Sequence, residues 1–321
     1  MNNARSGRSA CAKRKVEQVS LADRTKTALD ELRMLMLGAQ ILLGFQFQAP
    51  FQDAFSNLSR LEKGIEVIVL CVMVVIIGLL ITPSARHRIV ERGEATRDFN
   101  SFVTRLSLLL LAPFAVALGL DIGVAISRGL GIRAGVAAGT LGSLIAVGLW
   151  YGPRLLRNGN GDSAMATFDE KTSTAAKIDY VLTEARVVLP GAQALLGFQL
   201  AIVLTSGFAD LNASAKALHC VALGTVALAT MLLVTPAAYH RIVYDGTEVA
   251  EFYHVASRFL LAATVFLALG LAADIHVVIG KVTQRPIIAN IVAAACALML
   301  IGFWHLWPWW TRVRRDGALW K

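Results

Sequence analysis

The stretch E-L-R-M-L-M-L-G-A-Q-I-L-L-G-F-Q-F at residues 31–47 is the key to the architecture, because E-A-R-V-V-L-P-G-A-Q-A-L-L-G-F-Q-L follows at residues 184–200. The two stretches align without a gap at an offset of 153. The same offset matches T-P-S-A-R-H-R-I-V at 82–90 with T-P-A-A-Y-H-R-I-V at 235–243. Self-similarity at a fixed long offset indicates a duplicated module.

The composition is that of a membrane protein. Of the 321 residues, 56% are hydrophobic and only 17% are charged, and the mean hydropathy is +0.59, which is too apolar for an ordinary soluble domain. The net charge of +9 does not indicate nucleic-acid binding, because the basic residues are scattered between apolar runs and in the N-terminal segment. The four cysteines have no paired spacing, so neither a disulfide framework nor a zinc site is expected.

Eight apolar runs are long enough to cross a bilayer as helices, which takes roughly 20 residues each. The predicted spans are residues 33–52, 65–82, 102–126 and 133–151 in the first copy, and 186–205, 216–235, 255–279 and 287–307 in the second. The sequence therefore predicts an all-α integral membrane protein with eight transmembrane helices in two tandem four-helix modules. Because each module has an even number of spans, both modules enter the membrane in the same, parallel orientation.

The domain boundaries follow from these spans. We expect a basic cytoplasmic tail at 1–30, a first membrane module at 31–151, a polar cytoplasmic linker at 152–180, a second membrane module at 181–312 and a cytoplasmic tail at 313–321. Arginines and lysines concentrate in the tails, in the linker and in the loop after span two, and such segments stay in the cytoplasm by the positive-inside rule. Both termini are thus expected on the cytoplasmic side of the inner (plasma) membrane.

Uncharged hydrogen-bonding side chains recur inside the first span of each copy; they are Gln40, Gln46, Gln193 and Gln199. Such groups should face other helices or a cavity rather than lipid. Two interpretations stay open. Either these glutamines and the neighbouring Gly44 and Gly197 form a tight helix seam, or the glutamines line a polar pathway between the copies.

A second repeated group gathers at the cytoplasmic ends of the spans. It consists of Glu31, Arg33, His87, Arg88 and Arg105, with their counterparts Glu184, Arg186, His240, Arg241 and Arg258. In one interpretation the arginines are anchors whose long side chains reach lipid phosphates. In the other, the group is a functional charge cluster in which histidine can titrate near neutral pH. Because Arg105 and Arg258 lie about one turn inside their spans, we expect them to pair with Glu31 and Glu184 of the same module.

Each copy also has an aspartate near the other end of its third span, Asp121 in the first and Asp274 in the second. Each aspartate lies 16 residues after the arginine of its helix, which is about 24 Å along the axis. Two placements stay open. The carboxylates are either exposed at the helix ends or lie below the headgroups, where an ionisable residue is a candidate ion or proton site.

Motifs of soluble enzymes are missing from the sequence, which has no Walker loop, dinucleotide glycine fingerprint, H-E-x-x-H or nucleophile elbow. We expect no enzymatic activity, no cofactor and no metal site. The expected partners are the lipid bilayer and an inorganic cation or a proton, without nucleic acid. The sequence leaves the oligomeric state open.

The blocks E-x-R-x(4)-G-A-Q-x-L-L-G-F-Q and T-P-x-x-x-H-R-I-V resemble a family of small bacterial four-helix membrane proteins of unknown function. The resemblance covers residues 25–155 and 178–312, so the chain looks like two such modules fused. Some members of that family carry an automatic sodium/proton antiporter label, which has no assigned residues to transfer.

Two functions stay open on the sequence alone. The first is a cation/proton transporter or ion pathway, which the parallel repeats, the intramembrane glutamines and the paired aspartates favour. The second is a non-transport membrane scaffold or envelope component whose basic cytoplasmic face binds anionic lipid or a partner.

Overall fold

The structure is a computed structural model that describes residues 21–156, 172–244, 247 and 249–318. Its long helices are α1 (Leu21–Gln48), α2 (Arg60–Ile89), α3 (Arg97–Leu130), α4 (Ile132–Leu156), α5 (Thr174–Val203), α6 (Ala213–Val243), α7 (Ala250–Thr283) and α8 (Pro286–Ile301). A π-helical turn (Gly302–Leu306) connects α8 to α9 (Trp307–Ala318). Short helical turns at Ala49–Phe51, Asp53–Asn57 and Ser206–Ala209 lie in the loops after α1 and α5.

In the part of the chain that the structure describes, eight helices are long and apolar enough to cross a membrane, four in each copy of the repeat. The prediction of an all-α integral membrane protein with two tandem four-helix modules is confirmed. Helices form here because the bilayer offers no water to backbone N–H and C=O groups, which a helix satisfies internally. Polar caps mark helix starts in the loops; Ser59 and Glu62 form a capping box at α2, and Asn212 caps α6.

The helix ends lie on two sides of the bundle. We call the side on which α1 begins and α2 ends the basic side, and the other side the far side. Successive spans alternate in direction, so α1, α3, α5 and α7 run from the basic side to the far side. Since each copy has four spans, both copies begin on the basic side.

Helices α1 and α5 extend further toward the basic side than hydropathy predicts. They begin at Leu21 and Thr174, inside the predicted tail 1–30 and linker 152–180. The added turns are polar and therefore lie outside the apolar runs, but they pack on each other, and Lys26 Nζ lies 2.7 Å from Asp179 Oδ2. Residues 1–20, 157–171 and 319–321 of the predicted tails and linker lie outside the described residues.

The two copies meet where α1 crosses α5. Phe45 and Phe198, which are equivalent in the repeat, pack edge to face with ring centroids 4.7 Å apart. A Cβ added to Gly44 would lie 2.0 Å from the Phe198 ring, so glycine allows this close crossing. Gly197 is exposed, and among the described residues no atom lies within 4 Å of a Cβ added there. The prediction that these two glycines lie at helix contacts is therefore confirmed for Gly44 and wrong for Gly197.

Helix α2 of the first copy is covered by the second copy. Trp304, fully buried in the π-helical turn, donates its indole N–H to the carbonyl oxygen of Gly78 at 2.7 Å. Leu300 packs on the same place, because a Cβ added to Gly78 would lie 2.8 Å from its side chain. Helix α7 also packs on α2. We call this contact of α2 with α7, α8 and the π-helical turn, together with the contact of its basic-side end with Glu184 of α5, the closed junction.

The equivalent helix α6 of the second copy lacks this cover. Among the described residues, α6 packs on α5 and α7 of its own copy and has no comparable packing on α3 or α4. Met231, the counterpart of Gly78, is 64% exposed. Tyr151, the counterpart of Trp304, donates its hydroxyl to the carbonyl oxygen of Leu108 in its own copy. We call this uncovered face of α6 the open junction.

Helices α3 and α4 of the first copy instead pack tightly on each other. Gly119 and Gly123 of α3 face Gly135 and Gly139 of α4, and a Cβ added to Gly135 would lie 2.5 Å from a carbonyl oxygen of α3. Small residues four apart let membrane helices approach closely. The corresponding positions of the second copy hold the larger residues Ala272, His276, Ile288 and Val292. The glycines therefore hold α4 to α3 of its own copy.

Candidate functional site

An aspartate–glutamine contact occurs at the same place in both copies. Gln46 of α1 donates its amide N–H to Asp121 Oδ2 of α3 at 3.0 Å, and Gln199 of α5 donates to Asp274 Oδ2 of α7 at 2.6 Å. Each aspartate lies nine residues before the end of its helix, which is about 13 Å along the axis. Asp274 is buried and Asp121 is half-buried. Neither carboxyl is exposed at a helix end, so the structure does not agree with the first of the two placements that the sequence left open, and the depth in the bilayer stays a prediction.

A third titratable residue adjoins each aspartate. His219 Nδ1 of α6 lies 3.5 Å from Asp274 Oδ1, and His219 Nε2 lies 3.1 Å from the carbonyl oxygen of Gln199. The counterpart of His219 in the first copy is Glu66 of α2, which is half-buried and close enough to Asp121 for the two negative charges to repel. We call Gln46, Glu66 and Asp121 site 1, and Gln199, His219 and Asp274 site 2.

The contacts of His219 indicate which ring nitrogen carries a proton. A carbonyl oxygen only accepts, so the Nε2 atom that faces the Gln199 carbonyl must carry a proton. The Nδ1 atom then faces the Asp274 carboxyl, and two lone pairs in that contact would repel each other. A second proton shared between Nδ1 and Oδ1 would remove this repulsion and would make His219 and Asp274 a coupled pair. Site 2 therefore has the groups needed to take up and release a proton.

The search for identical residues in the two copies did not find Glu66 and His219, because these equivalent positions hold different amino acids. A comparison of the copies for titratable rather than identical residues at the offset of 153 would have found them. Within the described residues, no group of three or more His, Cys, Asp and Glu side chains is placed to hold a metal ion. The two carboxyls of site 1 suit a proton or one weakly held monovalent cation, since tighter metal sites use more ligands.

The four predicted glutamines do not line one pathway. Gln46 and Gln199 contact the aspartates, whereas Gln40 is buried at the crossing of α1 and α5, where a Cβ added to Gly191 would lie 1.5 Å from its side chain. Gln193 is exposed on the surface of the bundle, which contradicts the expectation that it faces a helix or a cavity. The reason is helical periodicity, because six residues rotate a helix by about 240° and Gln193 cannot share a face with Gln199.

On the basic side, a buried charge cluster joins the two copies. Both oxygens of Glu184 on α5 are engaged, Oε1 by His87 Nδ1 at 2.6 Å and Oε2 by Arg88 Nε at 2.5 Å, and all three side chains are fully buried. The His87 ring stacks on Phe99 with centroids 4.6 Å apart. Arginine stays charged, so the Glu184 carboxylate compensates the buried positive charge of Arg88.

The other predicted members of the basic-side group lie elsewhere. Glu31, Arg33, Arg105, Arg186, Arg241 and Arg258 are exposed, and His240 is half-buried. The predicted pair of Glu184 with Arg258 is wrong, because residues of the other copy occupy both carboxylate oxygens. The predicted pair of Glu31 with Arg105 is also wrong, since the described residues contain no ion pair of either. The repeat offset aligns the copies but does not show how they face each other.

A second polar link between the copies involves Glu94 in the loop between α2 and α3. Its carboxylate accepts hydrogen bonds from Lys177 Nζ and from the backbone N–H of Thr172, the latter at 3.0 Å. Burial by itself raises the pKa of the Glu94 carboxyl, but these hydrogen bonds outweigh burial and hold the pKa below its ordinary value. The counterpart Thr247 bonds instead to the carbonyl oxygen of Tyr244 in its own loop.

Comparison with known proteins identifies the repeated module. A model described as a family of unknown function (DUF6328) matches residues 17–153 and again residues 170–308. No curated protein and no solved structure matches the chain. The two matched ranges together cover most of the chain and correspond to the two groups of four helices, which confirms the resemblance found in the sequence. The chain therefore belongs to the DUF6328 family of unknown function and carries two tandem copies of its module.

Proposed function

We propose that this protein moves protons, or an inorganic cation in exchange for protons, across the membrane through sites 1 and 2. What supports this is the aspartate–glutamine contact that recurs in both copies, each with a further titratable side chain at the same position of the repeat. Ionisable groups within membrane helices are costly and are typical of ion and proton pathways. A neutral amide holds the carboxyl in place without cancelling its charge, so the charge stays available to a proton or a cation.

The two sites have complementary chemistry. Site 1 combines the carboxyls of Glu66 and Asp121, and a bound proton or monovalent cation would relieve the repulsion between them. Site 2 combines the Asp274 carboxyl with the His219 imidazole, and a proton can move between Oδ1 and Nδ1 without a bound cation. Site 1 therefore suits binding of the transported ion, and site 2 suits proton transfer.

Proton flux into proteoliposomes tests the proposal. We expect an imposed Na⁺ or K⁺ gradient to change the pH inside vesicles that contain the protein, measured with a trapped pH-sensitive dye. Asp121→Asn or Asp274→Asn should reduce the flux, and the double variant should abolish it. Asp210→Asn is the matched control, because this exposed carboxylate lies in a far-side loop. Unchanged flux in a folded double variant would exclude sites 1 and 2 as the pathway.

Variants of the third residues separate the two roles. Glu66→Gln should weaken the dependence of the flux on cation concentration, because site 1 then has a single carboxyl. His219→Gln should slow proton movement at every cation concentration, because glutamine cannot exchange a proton. Identical kinetics in both variants would contradict the assignment of separate roles to sites 1 and 2.

The proposed orientation places the basic side in the cytoplasm of a bacterial inner membrane, with sites 1 and 2 toward the outside. The positive-inside bias of the loops supports it. With the native cysteines replaced, Ser56→Cys in the far-side loop should react with an impermeant maleimide on intact cells. Arg92→Cys on the basic side should react only after permeabilisation, and the reverse pattern would invert the orientation.

A membrane scaffold is the second candidate function. The observation that favours it is the set of exposed arginines on the basic side, namely Arg33, Arg105, Arg186, Arg241 and Arg258. Each basic residue near an anionic surface contributes about 1 kcal/mol to lipid binding. Proteoliposomes that show no ion flux, together with a preference for anionic lipid that depends on these arginines, would favour the scaffold.

A further inference from the structure

A cavity of about 760 Å³ opens on the basic side, between the two copies, and lies far along the helices from sites 1 and 2. The first copy contributes Arg92 from the loop after α2, and the second contributes Lys177, Tyr253 and His254. Arg312 and Arg315 of α9 also line the cavity. The volume lies within the range of pockets that bind small molecules, roughly 300 to 1,000 Å³.

Positive charge exceeds negative charge around this cavity. Among the described lining residues, Arg315 pairs with Glu91 at 2.8 Å and Lys177 pairs with Glu94. Asp316 is shared by two guanidinium groups, because Arg92 Nη2 lies 2.9 Å away and Arg312 Nε 3.7 Å away. One positive charge at this shared carboxylate is therefore uncompensated.

Unused hydrogen-bond donors belong to Arg88, which itself lines the cavity. Arg88 is bound to Glu184 through Nε, but its Nη1 and Nη2 atoms are buried and have no hydrogen-bond partner among the described residues. Its guanidinium carbon lies 5.3 Å from the centroid of the Tyr253 ring, which lines the cavity. Buried donors without acceptors are rare in folded proteins and indicate a missing partner or an ion.

We propose that this cavity binds a phosphate-type anion between the two copies. Phosphate offers several acceptor oxygens at once, which matches two guanidinium groups that converge on one point better than a single carboxylate does. The same chemistry is offered by a soluble phosphate compound or by a phospholipid headgroup at the membrane surface. Bound there, the anion would connect the α2–α3 loop of the first copy to α9 of the second.

Thermal unfolding of the purified protein tests the proposal with two probes. Sodium phosphate in detergent, compared with sodium chloride at equal ionic strength, should raise the unfolding temperature in a saturable manner if the source is a soluble phosphate compound. Nanodiscs with phosphatidylglycerol, compared with phosphatidylcholine alone, should raise it if the source is a headgroup. Either result supports the site, and the difference between them identifies the source.

Variants decide whether the effect arises in this cavity. Arg312→Gln and Arg92→Gln each remove one charged donor and should weaken the apparent affinity for the effective probe by roughly tenfold. Both side chains are substantially exposed, so the variants should fold. Arg285→Gln, an exposed arginine on the far side, should leave the affinity unchanged. The absence of a saturable effect with both probes, or an equal effect in all three variants, would overturn the proposal.

Discussion

The closed and open junctions contain the same repeated charged residues, but only the closed junction has formed. In the closed junction, Glu184 lies fully buried between His87 and Arg88. The counterparts at the open junction, in the same order, are Glu31, His240 and Arg241. Glu31 and Arg241 are exposed. The buried Nε2 atom of His240 has no hydrogen-bond partner among the described residues. Identical side chains therefore do not determine whether this contact forms.

The residues that differ between the copies explain the asymmetry. Gly78 leaves the α2 backbone open to Trp304, whose indole bonds to the Gly78 carbonyl. Met231 places a long side chain at the equivalent position of α6, and Tyr151 bonds within its own copy instead. A small residue at the contact and a donor that reaches across it thus close one junction. The two equivalent contacts thus differ in the packing along α2 and α6 and not in the charged residues at the ends of these helices.

The largest expected effect compares the two glutamates. Glu184→Gln should lower the free energy of unfolding in detergent by about 3 to 5 kcal/mol, because the Arg88 charge is then buried without a counter-ion. Glu31→Gln should change it by no more than about 0.5 kcal/mol, because its side chain is exposed. Equal effects would mean that the open junction also closes for a comparable share of the time.

A double substitution checks the cause of the first effect. Glu184→Gln combined with Arg88→Gln removes both charges, and it should be more stable than Glu184→Gln alone. If the stability losses of Glu184→Gln and Arg88→Gln simply add in the double variant, the loss in Glu184→Gln arises from packing rather than from an uncompensated charge.

The next effect concerns the two glycines at the crossing of α1 and α5. Gly44→Leu should lower the free energy of unfolding by about 1 to 3 kcal/mol, because the new side chain overlaps the Phe198 ring. Gly197→Leu should leave stability within about 0.5 kcal/mol, because its side chain would point away from the bundle. Melting curves in detergent measure both, and a loss at Gly197 as large as at Gly44 would show that the crossing is more symmetric than the structure has it.

The sequence predicted the eight spans and the two modules because apolar run length and the constant offset are direct consequences of the bilayer and of duplication. It also indicated Asp121 and Asp274 as candidate ion or proton sites, since an ionisable residue in an apolar segment stands out by itself, but it left their placement open. The contacts of these aspartates with Gln46 and Gln199 could not be predicted, because they depend on the rotation of α1 against α3 and of α5 against α7. The hydropathy of a sequence gives no information about the rotation of one helix against another.

The charge cluster shows a second limit of the sequence. Each copy carries the same glutamate, histidine and arginine, so the sequence could not distinguish a pair within a module from a pair between modules. Burial decided the outcome, because Glu184 lies where α5 meets the end of α2, whereas Glu31 lies on an exposed face of α1. The different burial of Glu184 and Glu31 depends on how the two copies pack together in the whole bundle.

The smallest expected effect is a pH-dependent one at the Glu94 link. Hydrogen bonds from Lys177 and Thr172 hold the pKa of the Glu94 carboxyl below its ordinary value of 4.5. A carboxyl with a lowered pKa in the folded state stabilises the fold fully when the pH is above its ordinary pKa, and the stabilisation is lost as the pH falls through the lower pKa of the folded state.

Because this carboxylate is partly exposed, Glu94→Gln should cost on the order of 1 kcal/mol or less at pH 7. The difference in unfolding free energy between the two proteins should shrink below about pH 4.5, where Glu94 begins to be protonated. Thr247→Val at the equivalent place should show a difference that does not vary with pH, because no carboxyl titrates there. If the effect of Glu94→Gln is equally large at pH 7 and at low pH, the charge of Glu94 does not hold the two copies together, and the hydrogen bond between Thr172 and Ala95 is the contact that connects them.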